Sequence, residues 1–319
     1  MRVVARRLVQ LVVVVIVVTF FVSLLTSLLP GDPVTTIAPF ATEAQRQQIR
    51  ESAHLDDNVA VRYVRWAGDF FTGDLGTYYA GAGIEPKPVS DRARAALPKS
   101  LLLVLYVEVL TLVIAVPLGV MMARRAGTMF DQVASVSVFL LLAIPAFVAA
   151  ALMKFWLGVQ WGLFPTIGWD DLFSDPVGHF QHVAMPVLAI AIGQIAIYSR
   201  LLRSDMVATL QEDFILMAKS KGISDRRILW AHALRPSSLT LITVAGLNVG
   251  ALVGGLLIVE RIFGIPGLGS QVYDAIAQRQ YLALQSFVAI IAIIYVLVNV
   301  FVDILYSVLD PRIRSGHIG

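Results

Sequence analysis

The chain has 319 residues, 57% hydrophobic and 15% charged, and a mean hydropathy of +0.76, a composition that lies outside the soluble range and predicts a membrane protein. Its net charge of +3 does not indicate nucleic-acid binding, because the cations lie beside apolar runs rather than in a soluble basic domain. The absence of cysteine excludes disulfides, thiolate metal sites and cysteine nucleophiles.

Six apolar segments are long enough to cross a bilayer as helices, which requires roughly 20 residues each. They comprise residues 8–29, 100–123, 132–158, 183–202, 239–259 and 283–309. The first segment follows three arginines, as a secretory signal does, but it is too long for one and is followed by SLLPGDP without a small-residue cleavage site. We therefore expect it to remain as a span, and we predict an all-α polytopic protein in which residues 1–319 form one domain.

The distribution of cations predicts the orientation of these spans. Fourteen lysine and arginine residues flank the spans on the side of the N-terminus, whereas the two short loops on the other side contain only Arg261 and Arg279. Both termini are therefore expected in the cytoplasm. Residues 30–99 then form an external subdomain, in which Thr42 and Gln45 have the spacing of a capping box at the start of a helix.

Polar residues inside the predicted spans are candidates for a translocation pathway. Glu108 lies near the middle of the second span, where an isolated carboxylate costs at least ~2.5 kcal/mol unless it faces water or a partner. A pore-facing role and an inter-helix hydrogen bond both remain open for Glu108. Gln194 and Asn248 are further pathway candidates. We expect no metal site, because His179 and His182 lack the third ligand that zinc requires.

A cationic stretch between the fourth and fifth spans, residues 203–237, is expected on the cytoplasmic side. Residues 205–220 are predicted to form one helix that Gly222 closes with a positive φ, and Ser224 is predicted to cap a second helix over residues 225–235. Pro236 is expected to begin the exit into the next span. The four adjacent apolar residues 214–217 cover more than one side of a helix, so the bundle can bury only part of them and the rest require a partner protein.

Two glycine-containing features follow in the chain. Gly246, Gly250 and Gly254 form a small-xxx-small strip on the fifth span, which predicts close helix packing. Residues 260–281 form the last outer loop, and its first half reads FGIPGLG, which predicts a shaped turn rather than a flexible connection.

At this point the sequence resembles a known family. LMAKSKGISDRRILWAHALRPS is similar to the "EAA" coupling loop of ATP-binding-cassette (ABC) importer permeases, in the form of the dipeptide and oligopeptide transporters. The resemblance spans the chain and is specific to the first, B-type membrane subunit. It is carried by LLPGDP (28–33), LDDNVAVRYVRW (55–66), GDLG (73–76), LPKSL (97–101), FGIPGLG (263–269) and LVNVFVDILYSVLDPRIR (297–314).

The resemblance implies a type I ABC importer permease fold with six transmembrane helices, located in a bacterial cytoplasmic membrane. Its implied partners are a second permease, two cytoplasmic subunits or domains that bind ATP and Mg, an extracytoplasmic binding protein, a peptide substrate and membrane lipid. This chain has no phosphate-binding glycine loop, so ATP is expected to be hydrolysed by other chains and no cofactor is expected here.

The resemblance also implies roles for individual residues. Contact with the ATPase is implied for Asp213, Phe214, Ile215, Leu216, Met217, Ala218, Lys219, Gly222 and Ser224. The glutamate that names the motif is replaced by Leu216, so docking is expected to depend on Phe214, Leu216 and Met217. The outer loop is implied to face the binding protein through Glu260, Phe263, Pro266, Gly267 and Gly269. Glu108 is an attractive partner for the N-terminal ammonium of a peptide.

Three alternatives remain open from the sequence. Relatives in this family carry glutathione or nickel chelates, and cargo selection lies mainly in the binding protein. An ion-coupled secondary transporter normally shows internal repeats and ionisable pairs near the midplane, and neither is evident. An intramembrane enzyme requires a nucleophile and base, or metal ligands, at bilayer depth, and we find no such grouping in the sequence.

Overall fold

The computed structural model describes residues 2–79 and 86–309, and the side chains of residues 9–79 and 86–302. The regular secondary structure of the described residues is helical apart from one short antiparallel strand pair, β1 (Thr77–Tyr78) with β2 (Lys87–Pro88). The helices are α1 (Arg2–Ser27), α2 (Pro33–Ile37), α3 (Glu43–Ser52), α4 (Val59–Thr72), α5 (Val89–Arg124), α6 (Met129–Leu142), α7 (Ala146–Met153), α8 (Pro176–Thr209), α9 (Asp213–Ser220), α10 (Asp225–Arg227), α11 (Leu234–Gly255), α12 (Leu257–Phe263), α13 (Leu268–Ala277) and α14 (Tyr281–Leu309). Two π-helical segments, Lys154–Gln160 and Ile228–Ala233, continue α7 and α10. Arg312 and Arg314, part of the predicted cytoplasmic flank, lie outside the described residues.

Within the described residues, five helices are long and apolar enough to cross a membrane, and the number is six if one bent pair counts as a span. The five lie at Val9–Ser27, Val89–Arg124, Pro176–Thr209, Asp225–Gly255 and Tyr281–Val302. All of the predicted spans therefore have a helical counterpart. Their bounds differ because helices continue past the apolar core into polar residues; α5, for example, begins at Val89 rather than at residue 100.

The third predicted span, residues 132–158, corresponds to this bent pair and is not one continuous helix. The helix α6 ends at Leu142, and the next helix runs over Ala146–Gln160 at an angle of 89° to it. Pro145 stands at the break with an extended backbone. Proline has no N–H to donate and disfavours the helical conformation in the residue before it, which accounts for a break here.

The first compact unit comprises Met1–Leu101 and Val253–Leu297. The predicted capping box is present at the start of α3, since the Thr42 hydroxyl accepts from the Gln45 N–H and the Gln45 side chain accepts from the Thr42 N–H. Long-range bonds tie the segment after α1 to α14. The buried Trp66 indole donates to the Ser286 hydroxyl at 2.9 Å, and that hydroxyl donates to the Leu75 carbonyl at 2.8 Å.

The second compact unit comprises Leu102–Leu252 and Val298–Gly319. Its helices α5 and α8 approach closely at Gly119, where a Cβ atom would lie 2.9 Å from the carbonyl oxygen of Ser199. An ion pair joins α6 to α8, because the Arg203 guanidinium donates two hydrogen bonds of 2.5 Å to the buried carboxylate of Asp131. Two nitrogens facing two oxygens fix the relative register of these helices more tightly than a single contact does.

Candidate functional site

The cationic stretch of residues 203–237, which we call the elbow, differs from its prediction at its first helix. Residues 205–220 do not form one helix, because α8 ends at Thr209 and α9 begins at Asp213. Glu212 stands at the break with an extended backbone. The acidic side chains of Glu212 and Asp213 suit the start of a helix, where the backbone dipole is positive, which favours a new helix over a continuation.

The turn after α9 agrees with its prediction in backbone conformation. Gly222 has a φ of +74°, and its N–H donates to the carbonyl of Lys219 at 2.9 Å. The next N–H, of Ile223, reaches back to the Ala218 carbonyl at 3.2 Å, so two otherwise free carbonyls of the last turn are satisfied. Ser224 is extended, as a capping residue is, although its hydroxyl makes no capping hydrogen bond.

The apolar run on α9 divides between core and surface. Ile215 is fully buried, and Ala218, which follows at i+3, is buried beside it. Phe214, Leu216 and Met217 are 44%, 54% and 58% exposed. One side chain of the four therefore holds α9 to its own unit, and the other three, which we call the apolar trio, face outward. Exposed Asp213 and Lys219 flank this surface.

The second helix of the elbow does not end before Pro236. From Asp225 the chain runs as helix to Gly255, through the π-helical segment Ile228–Ala233. In that segment the N–H of Leu234 donates to the carbonyl of Leu229, five residues back. A π turn relieves the ring clash and the missing donor of the nearby Pro236, so the second helix of the elbow and the span form one helical rod.

Trp230, which the sequence analysis did not single out, lies 46% exposed on this rod. Together with Ser224, Arg226, Arg227 and Ala231 it lines a groove of about 420 Å³. Trp230 follows Arg226 by four residues and Ala231 follows Arg227 by four, so these side chains share one helix face. That spacing was readable from the sequence.

The three candidate pathway residues meet in one hydrogen-bonded network. The Tyr198 hydroxyl donates to both oxygens of the buried Glu108 carboxylate, at 3.1 and 3.2 Å. The Asn248 amide donates to the Tyr198 oxygen and to the Gln194 amide oxygen, each at 3.2 Å. The network links α5, α8 and α11. Tyr198 was missed by the sequence analysis, although it shares a helix face with Gln194 at i+4.

The outer-loop candidate Glu260 is fully buried, not exposed to a partner. Its carboxylate accepts from the Ser100 hydroxyl at 2.6 Å, from the Ser270 N–H at 2.9 Å and from the Gly269 N–H. Ser100 accepts in turn from the N–H of Leu268 at 2.7 Å. The first three N–H groups of α13 are thus satisfied by side chains from two other helices, a cap assembled by tertiary structure. Burial raises the pKa of Glu260, and these hydrogen bonds oppose the rise.

The remaining loop candidates are mostly interior as well. Phe263, Gly267 and Gly269 are buried, and only Pro266 is exposed among the five. A Cβ at Gly267 would overlap with Glu260 and Ser100, so glycine is required for the cap to close. These residues shape the loop in this structure and offer little surface to another protein.

The glycine strip packs most closely at Gly246. A Cβ at Gly246 would overlap with the side chain of Val302, so α11 and α14 are in close contact there. Gly250 is buried. Gly254 is exposed, and a Cβ on it would lie in ordinary contact with Ile291 at 3.8 Å.

Among the residues that the structure describes, no group of three or more His, Cys, Asp or Glu side chains is arranged to hold a metal ion. The two neighbouring histidines have other partners. His179 contacts the Tyr106 hydroxyl through Nε2 at 3.1 Å and the Asp170 carbonyl through Nδ1 at 2.8 Å. The Nδ1 of His182 lies 3.0 Å from the Asp170 carboxylate.

Comparison with known proteins gives a consistent set of relatives. A profile described as "Binding-protein-dependent transport system inner membrane component" matches residues 115–315. The chain is 34% identical to the oligopeptide transport system permease protein AppB of Bacillus subtilis, over 98% of each chain. It is 31% identical to the dipeptide transport system permease protein DppB of Alkalihalophilus pseudofirmus, over 97% of this chain and 98% of that one.

Solved structures show the same fold at lower sequence identity. A chain of the MetNI methionine ABC transporter in an inward-facing conformation superposes with a TM-score of 0.56 at 16% identity, over 69% of this chain and 96% of that one. A chain of an amino acid ABC transporter gives a TM-score of 0.52 at 18% identity, over 70% and 94% of the two chains.

Proposed function

Because the chain belongs to the family of binding-protein-dependent transport system inner membrane components, we propose that it is the B-type permease subunit of a peptide-carrying ABC importer. It is a multi-pass membrane protein, and residues 1–319 act as one permease that supplies half of the translocation pathway. Its relatives over nearly the full length are named for oligopeptide and dipeptide transport, which supports peptides over nickel chelates or glutathione as the cargo.

The observation that carries the proposal is the outward-facing apolar trio of Phe214, Leu216 and Met217 on α9. The apolar trio lies on a helix of eight residues and forms a compact projection, which we call the knob. The buried Ile215 packs this helix against the rest of its unit. A knob of this kind fits a cleft in an ATP-binding subunit, and closure of that cleft on nucleotide then moves α9 as a rigid body. The chain itself hydrolyses nothing, and the ATP and Mg belong to the partner subunits.

The coupling role is tested in the reconstituted importer with its second permease, ATPase subunits and binding protein. Met217→Asp introduces a charge into the centre of the knob, and we expect dipeptide uptake to fall at least ten-fold while ATP hydrolysis continues. Gln211→Glu is the matched control, because it adds the same charge at an exposed position just before α9. Uptake that remains coupled in Met217→Asp would argue against docking through this knob.

The orientation proposed from the positive-inside rule places the elbow and both termini in the cytoplasm and residues 30–99 outside. The chain has no cysteine, so single cysteines report accessibility without background. Gln48→Cys on α3 is expected to react with an impermeant maleimide in intact cells, and Ser220→Cys only after the membrane is opened; both positions are exposed. The reverse pattern contradicts the proposed orientation.

We further propose that the outer loop faces the extracytoplasmic binding protein through its exposed Pro266 and that the buried Glu260 cap keeps this tip rigid. Pro266→Arg enlarges the tip without touching the cap, and we expect it to weaken docking of the binding protein. The cargo is tested separately by identifying the ligand of that binding protein. A nickel chelate or glutathione there, with no peptide bound, would overturn the peptide assignment.

The network around Glu108 is proposed to border the translocation pathway. Among the described residues, the only hydrogen-bond donor to the Glu108 carboxylate is the neutral hydroxyl of Tyr198, so none of them supplies a countercharge. A passing ammonium group supplies one. Glu108→Gln is expected to slow uptake of peptides with a free N-terminus more than uptake of N-acetylated peptides, and equal effects on both would assign the network to helix packing alone.

A further inference from the structure

The groove at the beginning of the helix Asp225–Gly255 carries positive charge that the described residues do not neutralise. It is lined by Ser224, Arg226, Arg227, Trp230 and Ala231. Both arginines are exposed, and within the described part of the chain neither guanidinium group has a hydrogen-bond or ion-pair partner. Residues 219–235 contain five lysines and arginines against a single acidic residue, Asp225. A ligand for this groove must therefore be anionic.

The position of the groove along the span places it at the membrane surface. A helix of 31 residues is about 46 Å long, whereas the hydrocarbon core is about 30 Å thick, so about ten residues extend beyond it. The excess lies at the beginning, because residues 236–255 contain no charged side chain and residues 225–235 contain Asp225, Arg226, Arg227 and Arg235. At about 1.5 Å per residue, the lining residues 226–231 lie about 7–15 Å beyond the core, so the groove borders the lipid headgroups from the aqueous side, within reach of long side chains.

The chemistry of the lining suits a phospholipid better than a soluble anion. Arginine binds phosphate oxygens through its planar fork of donors. Trp230 lies four residues after Arg226 on the same face and is 46% exposed. Tryptophan is enriched at the boundary between headgroups and acyl chains, where its ring contacts the lipid and its N–H remains in a polar layer.

We propose that this groove binds the phosphate headgroup of an anionic phospholipid in the leaflet beside the elbow. Arg226 and Arg227 contact the phosphate, and Trp230 packs against the glycerol and the first methylenes of the acyl chains. The lipid thereby anchors the beginning of the helical rod that connects the elbow to the membrane. This site is independent of the apolar trio on α9, because none of its lining residues belongs to that helix.

The proposal is tested by measuring lipid binding to the purified full-length chain with native mass spectrometry. Phosphatidylglycerol and phosphatidylcholine with identical acyl chains are titrated separately. We expect tight binding of phosphatidylglycerol that the double variant Arg226→Gln, Arg227→Gln weakens about 30-fold, because each cation at an anionic membrane surface contributes about five-fold. The control Lys219→Gln, Lys221→Gln removes the same charge from exposed positions outside the groove and is expected to weaken binding less than three-fold.

Four results would overturn the proposal. Equal binding of the two lipids removes the headgroup as the ligand, and an equal loss in both double variants reduces the effect to net charge. Displacement of the lipid by an excess of inorganic phosphate identifies a soluble anion as the ligand. The titration is repeated on the importer assembled with its ATPase subunits, where a loss of selectivity assigns the groove to a protein contact. The single variants Arg226→Gln and Arg227→Gln, each with an expected loss of about five-fold, keep the test decisive if the double variant does not fold.

Discussion

Replacement of Glu260 by alanine tests whether a single buried carboxylate holds the last outer loop in shape. The substitution removes the acceptor for the N–H groups of Gly269 and Ser270 and for the Ser100 hydroxyl. The hydroxyl can rotate toward another acceptor, whereas the two N–H groups are fixed at the start of α13. A buried donor without a partner costs about 1–3 kcal/mol, so we expect Glu260→Ala to lower the free energy of unfolding by about 2–6 kcal/mol.

This loss is a large fraction of the about 5–15 kcal/mol by which proteins are normally stable. We expect thermal unfolding in detergent, monitored by circular dichroism, to show that the melting temperature of Glu260→Ala is about 5–20 °C lower than that of the unsubstituted chain. Glu51→Ala is the matched control, because Glu51 is an exposed glutamate in the same unit. A melting temperature of Glu260→Ala within 1 °C of the unsubstituted chain would refute the assignment of the carboxylate as a cap.

Three further results are expected from the same assay. Burial raises the pKa of Glu260, so the contribution of this residue to stability is fully present below the ordinary glutamate pKa. That contribution is lost as the pH rises through the raised pKa. The stability advantage of the unsubstituted chain over the non-titrating Glu260→Gln should therefore grow as the pH falls. An advantage that shrinks on acidification contradicts this. Gly246→Val forces overlap with Val302 and is expected to cost about 1–3 kcal/mol, whereas Gly255→Ala, which meets open space, is expected to cost nothing; equal effects would remove the packing argument. Arg203→Met leaves the Asp131 carboxylate buried without its countercharge and should cost about 3–5 kcal/mol, and a neutral result would show that the ion pair contributes no net stability.

Several features of this protein depend on local signals, and these could be predicted from the sequence. The capping box at Thr42 requires only two residues three positions apart, and the positive φ of Gly222 requires only the absence of a Cβ in a helix-closing turn. The membrane helices follow from the length of the apolar runs. Pro145 shows that a local signal can also be overlooked, because a proline in the middle of a predicted span indicates a break such as the 89° bend found here.

Other features depend on contacts between residues far apart in the chain. Glu108, Gln194 and Asn248 were selected from sequence as separate polar residues in membrane spans, and only the packing of α5, α8 and α11 around Tyr198 joins them. Glu260 was expected at a surface, because the family resemblance implied that the outer loop faces the binding protein. Its burial depends on Ser100, which lies 160 residues earlier in the chain.

The sequence by itself determined the class of this protein, the number of its membrane helices and the position of its elbow, because composition, periodicity and turn residues act over a few residues at a time. Only the tertiary structure decided that Ile215 is buried while Phe214, Leu216 and Met217 are exposed. Four adjacent apolar residues are equivalent by hydrophobicity, and their fate depends on which side of α9 meets the rest of its unit. The surface available to a partner was therefore set by packing and not by composition.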